Sequence, residues 1–243
     1  MVMVHFGIVT PTYNRVRFLR PFIRNVVNQS YLHWTLTIVH DGPGESRIAD
    51  AVNEIRGGDC RIFYLETPVR HRDMGNGPRL FGLEYLVNYG EPINYFLFWD
   101  DDNRFYQDAL SRIERAIQDT DSPDLLLVPI RHKWRSLPLR DLPLREFPMG
   151  CIDTANLCIK AEIVIEHFKN SLNSNDPYHQ DFRFYRSICD DASVTVNIAN
   201  IDNIGCYDGL RSWEVIRWKL FPRPLYIYEK KFMRQIRRLF PRD

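Results

Sequence analysis

Short apolar runs and helix-spaced apolar positions alternate along the first half of the chain. His5–Val9 is an apolar run that stops at Thr10-Pro11, and it predicts a buried strand. Beyond Asn14, Phe18, Phe22, Val26 and Val27 return with helical spacing, and Pro21 is expected early in that helix or at a kink. Trp34–Val39 is rich in β-branched residues, closes on the turn dipeptide Asp41-Gly42 and predicts a second strand, with Arg61–Leu65 a third. Leu80, Leu83 and Val87 mark a helix, and Tyr95–Trp99, wholly aromatic and apolar, a fourth strand. Ala109, Ile113, Ala116 and Ile117 give another helical face, and Leu125–Ile130 a further strand. Strands separated by helices imply an α/β fold with a mostly parallel sheet, whose ligands bind beyond the carboxyl ends of the strands. Those ends carry Thr10-Pro11-Thr12-Tyr13-Asn14, Asp41-Gly42 and Asp100-Asp101-Asp102-Asn103.

Charge divides the chain in two. Residues Arg211–Asp243 hold ten Lys/Arg against three Asp/Glu, a net +7, so the preceding residues carry −6 of the overall +1. Phe232, Ile236, Leu239 and Phe240 recur at helical spacing among Lys230, Lys231, Arg234, Arg237 and Arg238, a basic amphipathic helix. Such a helix suits an anionic membrane surface, and equally the body of the protein or a second subunit, so a homo-oligomer stays open. With Pro222–Pro224 as punctuation, the expected division is a body over 1–221 and a basic helical tail over 222–243. The near-zero overall charge argues against a nucleic-acid partner. No apolar run reaches the ~18 residues of a membrane span. The N-terminus lacks a basic flank and a cleavage site, which points to a cytoplasmic protein, peripheral on the inner membrane face if the tail binds lipid. Five cysteines, an odd number without a C-x-x-C pair, predict buried reduced thiols rather than disulfides or structural zinc.

Three consecutive carboxylates at the end of an apolar strand repel one another unless a cation sits among them. A hard divalent ion, Mg²⁺ or Mn²⁺, bound by one or two carboxylates and substrate phosphates, is the economical partner. The alternative is a solvated acidic turn. Tyr13 and Asp41 are weak signals alone. The fold brings both to the same edge, where a ring can stack on a base and a carboxylate can accept from its N–H.

Val9-Thr10-Pro11-Thr12-Tyr13-Asn14-Arg15, Asn28-Gln29-Ser30-Tyr31 and Ile38-Val39-His40-Asp41-Gly42 together resemble the opening of the family 2 inverting glycosyltransferases of GT-A fold. Phe96-Leu97-Phe98-Trp99-Asp100-Asp101-Asp102-Asn103 resembles that family's D-x-D segment. The resemblance covers residues 5–118 well and continues weakly to about 210. It implies a Rossmann-like sheet flanked by helices, a nucleotide-sugar donor (a UDP-sugar), and a Mn²⁺ or Mg²⁺ cofactor. It also implies roles at matching positions. Tyr13 stacks on the donor base, Thr10 and Pro11 shape its pocket, and Asp41 hydrogen-bonds it. Arg79, in Gly77-Pro78-Arg79, meets base or diphosphate. Asp102 coordinates the metal, and Asp100 or Asp101 faces ribose or metal, the register of the three being open by one residue.

An inverting transfer needs a base for the acceptor hydroxyl, and the family places an Asp late in the domain, commonly after a Glu. Here Asp181 matches it, ahead of the helical face Phe182, Tyr185 and Cys189, but Gln180 stands where Glu is usual. Asp181 read without the family is an acid favoured by a helix N-terminus. Asp153 lies in the acceptor-side region and reads equally as a turn carboxylate. The acceptor implied is a glycan or a lipid-linked hydroxyl. Arg217-Trp218 is similar to part of the Q-x-x-R-W of processive synthases, but Glu214 replaces the Gln. Two other classes stay open: a nucleotidyl- or phosphoryl-transfer enzyme on a similar sheet, and a non-catalytic nucleotide-sugar-binding protein. P-loop and dinucleotide-binding fingerprints are missing.

Overall fold

A computed structural model of the chain describes residues 3–207 apart from 45, 89–91, 133–134, 139–142, 145–146 and 174. The chain divides into Met1–Leu210 and Arg211–Asp243. The second unit, with the basic amphipathic helix expected there, lies outside the described residues.

The first strands follow the apolar runs. Strand β1 spans Phe6–Thr12, β2 Trp34–His40, β3 Ile62–Glu66 and β4 Tyr95–Phe98. Helices α1 (Val16–Val27), α2 (Ser46–Arg56) and α3 (Asn76–Asn88) connect them. Every residue of β2 and β4 is buried, as expected of parallel strands covered on both faces. Pro21 falls inside α1 rather than in its first turn, at an exposed position away from the buried stripe Leu19, Phe22, Ile23 and Val26.

After the short β5 (Arg104–Phe105) and helix α4 (Ala109–Asp119), the expected strand Leu125–Ile130 divides. It becomes β6 (Leu125–Leu127) and β7 (Ile130–His132), which belong to different sheets. Pro129 sits at the break, where it has no N–H to give to a ladder. Then come β8 (Arg135–Leu137), β9 (Leu157–Lys160), α5 (Ala161–Ser171), α6 (Gln180–Cys189), β10 (Val196–Ile198) and β11 (Gly205–Cys206).

The main sheet has seven strands in the order β10-β6-β9-β4-β1-β2-β3. All pairs are parallel except those of β9, which runs antiparallel to both β4 and β6. A smaller sheet orders β5-β11-β7-β8. The expected mostly parallel sheet flanked by helices is the observed one.

Alternation along the strands divides the core. Phe6, Ile8, Tyr95 and Leu97 join one cluster with residues of α1, α2 and α4, whereas Val9, Phe96 and Phe98 join a second with residues of α3, α5 and α6. Phe98 stacks on Phe168 at 5.7 Å and meets Phe184 edge-on at 5.6 Å, fixing the strand that leads into the aspartates. Helix α3 comes close to the sheet because Gly82 has no side chain: a Cβ there would lie 2.8 Å from Val9 and 2.9 Å from Val39.

Of the five cysteines, all free, Cys151, Cys158 and Cys189 are buried as expected. Cys206 is half-buried and Cys60 is exposed, the latter because it falls in the turn between α2 and β3 rather than on a core face.

Candidate functional site

Because β1, β2 and β4 run parallel, the segments after them emerge along one sheet edge. The three aspartates after β4 are separated there by their partners. Asp100 receives Arg79 Nη2 on Oδ1 at 2.5 Å. Asp101, wholly buried, accepts from Thr12 Oγ1 on Oδ2 (2.7 Å) and from Arg15 Nη1 on Oδ1 (2.8 Å). Asp102 Oδ2 accepts from the same Arg15 nitrogen at 3.2 Å. Asp101 thus ties β1 to the loop after β4, while Asp100 looks to Arg79. Burial pushes the Asp101 carboxyl up to about 6, against the pull of Arg15 and Thr12.

Arg79 lies in the first turn of α3 and is 6% exposed. Its Nη1 donates to the Met74 carbonyl at 3.1 Å, and its Nε is buried without a protein partner. Burial opposes the charge, but Asp100 and Asp153 more than restore it. Thr10 is also wholly buried with an unpartnered Oγ1. Pro11 is half-buried, and a Cβ on Gly75 would stand 2.9 Å from it, so the chain before α3 passes close over β1.

Tyr13 is 38% exposed, with its ring 5.4 Å from that of His40. The Arg70 guanidinium lies over the Tyr13 ring at 3.7 Å, so a base stacking on that face has to displace it. Asp41 accepts from the backbone N–H of His71 (2.7 Å) and of Arg72 (3.1 Å). Its carboxylate thereby holds the segment between β3 and α3, and it keeps lone pairs for a further donor.

Asp153 caps a 3-10 turn at Thr154–Asn156, accepting from Ala155 N at 2.9 Å. Asp181 stands in the first turn of α6 and accepts from Phe182 N at 2.7 Å. Burial, then the charges of Asp100 and Asp181, push Asp153 up to about 7, with the Ala155 amide and Arg79 pulling the other way. Burial also raises Asp181, against the Phe182 amide, Arg79 and His179. These shifts show that the fold gathers Asp100, Asp153, Asp181 and Arg79 into one electrostatic neighbourhood.

Asp153 carries a stability prediction. A carboxyl raised to about 7 binds its proton more tightly in the folded than in the unfolded state. Stability is then fully present below the ordinary carboxylate range and is lost as pH rises through about 7. Asp153→Asn keeps the acceptor for Ala155 and removes the charge. In the presence of a chelator, its advantage over wild type in thermal unfolding is smallest near pH 3 and grows by a further ~2–3 kcal/mol between pH 5 and pH 8. A difference that does not change with pH counts against a charge buried among acids.

Sequence reasoning assigned no role to Thr12, Arg15 or Arg70. Thr12 and Arg15 lie inside the motif that carried the resemblance, but their partner Asp101 is 89 and 86 positions away. Among the described residues, no group of three or more His, Cys, Asp or Glu converges as a ready metal cage. Asp100 and Asp102 nevertheless suit a hard divalent ion. They offer carboxylate oxygens in a site where Arg15 and Arg79 only partly offset the acids, and phosphate and water can complete the coordination.

The family model described as glycosyl transferase family 2 matches residues 7–182, which spans β1 through Asp181. No curated relative matches the chain. TarS residues 1–349 from S. aureus, in complex with UDP, superposes with a TM-score of 0.66 at 13% identity, covering 88% of this chain and 64% of that one. The same protein without ligand gives 0.66 at 12% identity, covering 84% and 60%. The mannosyltransferase PcManGT from Pyrobaculum calidifontis, in complex with GDP-Man and Mn²⁺, gives 0.59 at 14%, covering 89% and 61%. At such identities the likeness is one of fold, and the chain spans about three fifths of the length of these structures.

Proposed function

The chain belongs to glycosyl transferase family 2, and from that premise we propose that it moves a sugar from a UDP-sugar to a hydroxyl of a glycan or lipid-linked acceptor, with inversion. The observation that carries this reading is the buried Arg79. It is bound to Asp100, has a free Nε, and lies in the field of Asp153 and Asp181 at the sheet edge.

A diphosphate leaves with increasing negative charge, and a fixed guanidinium in a water-poor site stabilises that change more than water does. Arg79 supplies it. Asp102, with Asp100 facing the same space, would hold Mn²⁺ or Mg²⁺, which adds positive charge for the diphosphate when bound. Tyr13 stacks on the base once Arg70 moves aside, Asp41 accepts from its N–H, and Thr10 and Pro11 shape the pocket wall. Asp101 acts through Thr12 and Arg15 by fixing the loop that presents Asp100 and Asp102. Asp181 takes the proton of the acceptor hydroxyl on the face opposite the leaving group. Its raised affinity for a proton, produced by burial, makes it a stronger base than a solvated carboxylate. Asp153 lies on the acceptor side.

The choice of UDP rests on Tyr13 and Asp41, and one structure of like fold holds UDP. The lipid-linked acceptor and a place on the inner membrane face rest on the basic composition of residues 211–243. No helix among the described residues is long and apolar enough to cross a membrane.

The test is thermal unfolding with UDP, GDP, dTDP and CDP, each with and without Mn²⁺. At about a hundredfold excess over Kd, a ligand adds about 2.7 kcal/mol, or roughly 5–10 °C for a chain of this size. UDP with Mn²⁺ is expected to give this shift, and Asp102→Ala to abolish the Mn²⁺-dependent part. A shift with GDP alone replaces the donor. No shift with any nucleotide removes the reading.

A further inference from the structure

We infer that Tyr178 is the platform on which a pyranose ring of the acceptor stacks. This rests on the reading of Asp181 as the base. Tyr178 is 72% exposed, more than any other large apolar or aromatic side chain among the described residues. It makes no hydrogen bond, ion pair or ring contact among them. An exposed tyrosine is ordinary by itself, and three features single this one out.

The first is position. Tyr178 sits in the 3-10 turn Pro177–His179, which runs directly into α6, and Asp181 is three residues on. Residues three apart eclipse in a 3-10 turn and are neighbours on an α-helix. Asp181 follows Tyr178 at i+3 across the junction of turn and helix, half-buried where Tyr178 is exposed.

The second is rigidity. Pro177 opens the turn, and its carbonyl accepts from Asn76 Nδ2 at 3.2 Å, which ties it to the start of the helix bearing Arg79. On the other side Asp176 holds His179 Nδ1 at 2.9 Å and Arg183 Nη1 at 2.8 Å. Gln180, 2% exposed, anchors the helix start to Ser171 Oγ at 2.9 Å. The backbone under the ring is thus fixed from both sides, and a ligand meets a preformed surface.

The third is chemistry. A pyranose presents a polar hydroxyl edge and an apolar C–H face. A tyrosine ring has a negative face that attracts those C–H groups, and burying it against them removes apolar area from water. A ring standing beside a carboxylate can take the C–H face while the carboxylate takes a hydroxyl. This pairing discriminates a sugar from a flexible alcohol or a bare phosphate, and it assigns the acceptor class as saccharide at the reacting end.

The test uses the full chain with UDP and Mn²⁺ and four probes: methyl glucoside, methyl galactoside, methyl mannoside and methyl N-acetylglucosaminide. Saturation-transfer NMR reads contact with each, and the UDP-induced thermal shift is recorded on the same samples. At least one glycoside is expected to receive saturation. That signal falls about fivefold or more in Tyr178→Ala, the scale of one aromatic contact, and is retained in Tyr178→Trp. Both variants keep the wild-type unfolding temperature and UDP shift, since the ring supports no packing. A UDP shift with no saturation from any glycoside overturns the platform, as does saturation indifferent to Tyr178→Ala. A Tyr178-dependent signal in a chain that shows no UDP shift upholds the platform and removes only the donor reading.

Discussion

Asp181→Asn is expected to lower kcat by about 10²–10⁴, the usual contribution of a positioned general base, while the Kd for UDP stays within about twofold. The side chain stands at the start of α6 and bonds Phe182 N rather than Tyr13, Asp41 or the aspartates after β4, so the substitution changes the charge near Arg79 without removing a donor contact named above. The amide keeps an oxygen for Phe182 N. It gives up the charge–dipole gain of an acid at a helix N-terminus, about 0.3–1 kcal/mol. The two roles of Asp181 therefore part cleanly: a helix-start acid shows itself in a small loss of stability, and a base in turnover. The pH profile adds a second readout. The base works deprotonated, so wild-type kcat/KM rises with pH through the Asp181 pKa, and burial places that rise above the ordinary carboxylate range. Asp181→Asn flattens that limb. A loss of less than tenfold in kcat, with the rising limb intact, returns Asp181 to the helix and moves the search for a base to Asp153.

The strands that position this site were legible because each is a closed apolar run bounded by a turn signal: β2 before Asp41-Gly42, and β4 before the aspartates. Parallel order then followed from the intervening helices, and the edge that gathers the site followed from parallel order. What escaped is non-local or locally ambiguous. Helix α2 carries Ile48, Val52 and Ile55 at helical spacing, a readable signal obscured by glycines on both sides. Strand β9 is four residues long, and its antiparallel place between β4 and β6 is set by partners far away in the chain. No spacing rule discloses such a pairing. The same limit held for the site. Arg15 was visible beside Tyr13, but nothing in the sequence says that its guanidinium bridges Asp101 and Asp102. The open register of the three aspartates was likewise a question about partners. Thr12 and Arg15 engage both oxygens of Asp101, whereas Asp100 pairs with Arg79 and Asp102 shares Arg15.

Replacing Arg79 with Ala is expected to cost about 3 kcal/mol of stability and to abolish the UDP shift. The guanidinium is buried between Asp100 and the Met74 carbonyl. Its removal leaves a mostly buried carboxylate without its counter-charge, and breaking such a pair from one side costs about 3–5 kcal/mol. The 19% exposure of the Asp100 side chain moves the expectation to the lower end. For a chain of this size the loss lowers Tm by roughly 6–12 °C. Stability and binding then have to be separated, because a destabilised protein also binds poorly. The double variant Asp100→Asn, Arg79→Met does so. A buried ion pair can be exchanged for neutral groups of similar volume at little cost, so the double variant recovers most of the lost stability. It does not recover the UDP shift, because the charge that meets the diphosphate is still missing. Recovery of both would make the pair structural and leave the diphosphate to other cations. Recovery of stability alone, read on the shift with UDP in the absence of Mn²⁺ so that the loss of the Asp100 carboxylate at the metal does not enter, assigns Arg79 to the donor, and its unpartnered Nε is the atom left to meet it.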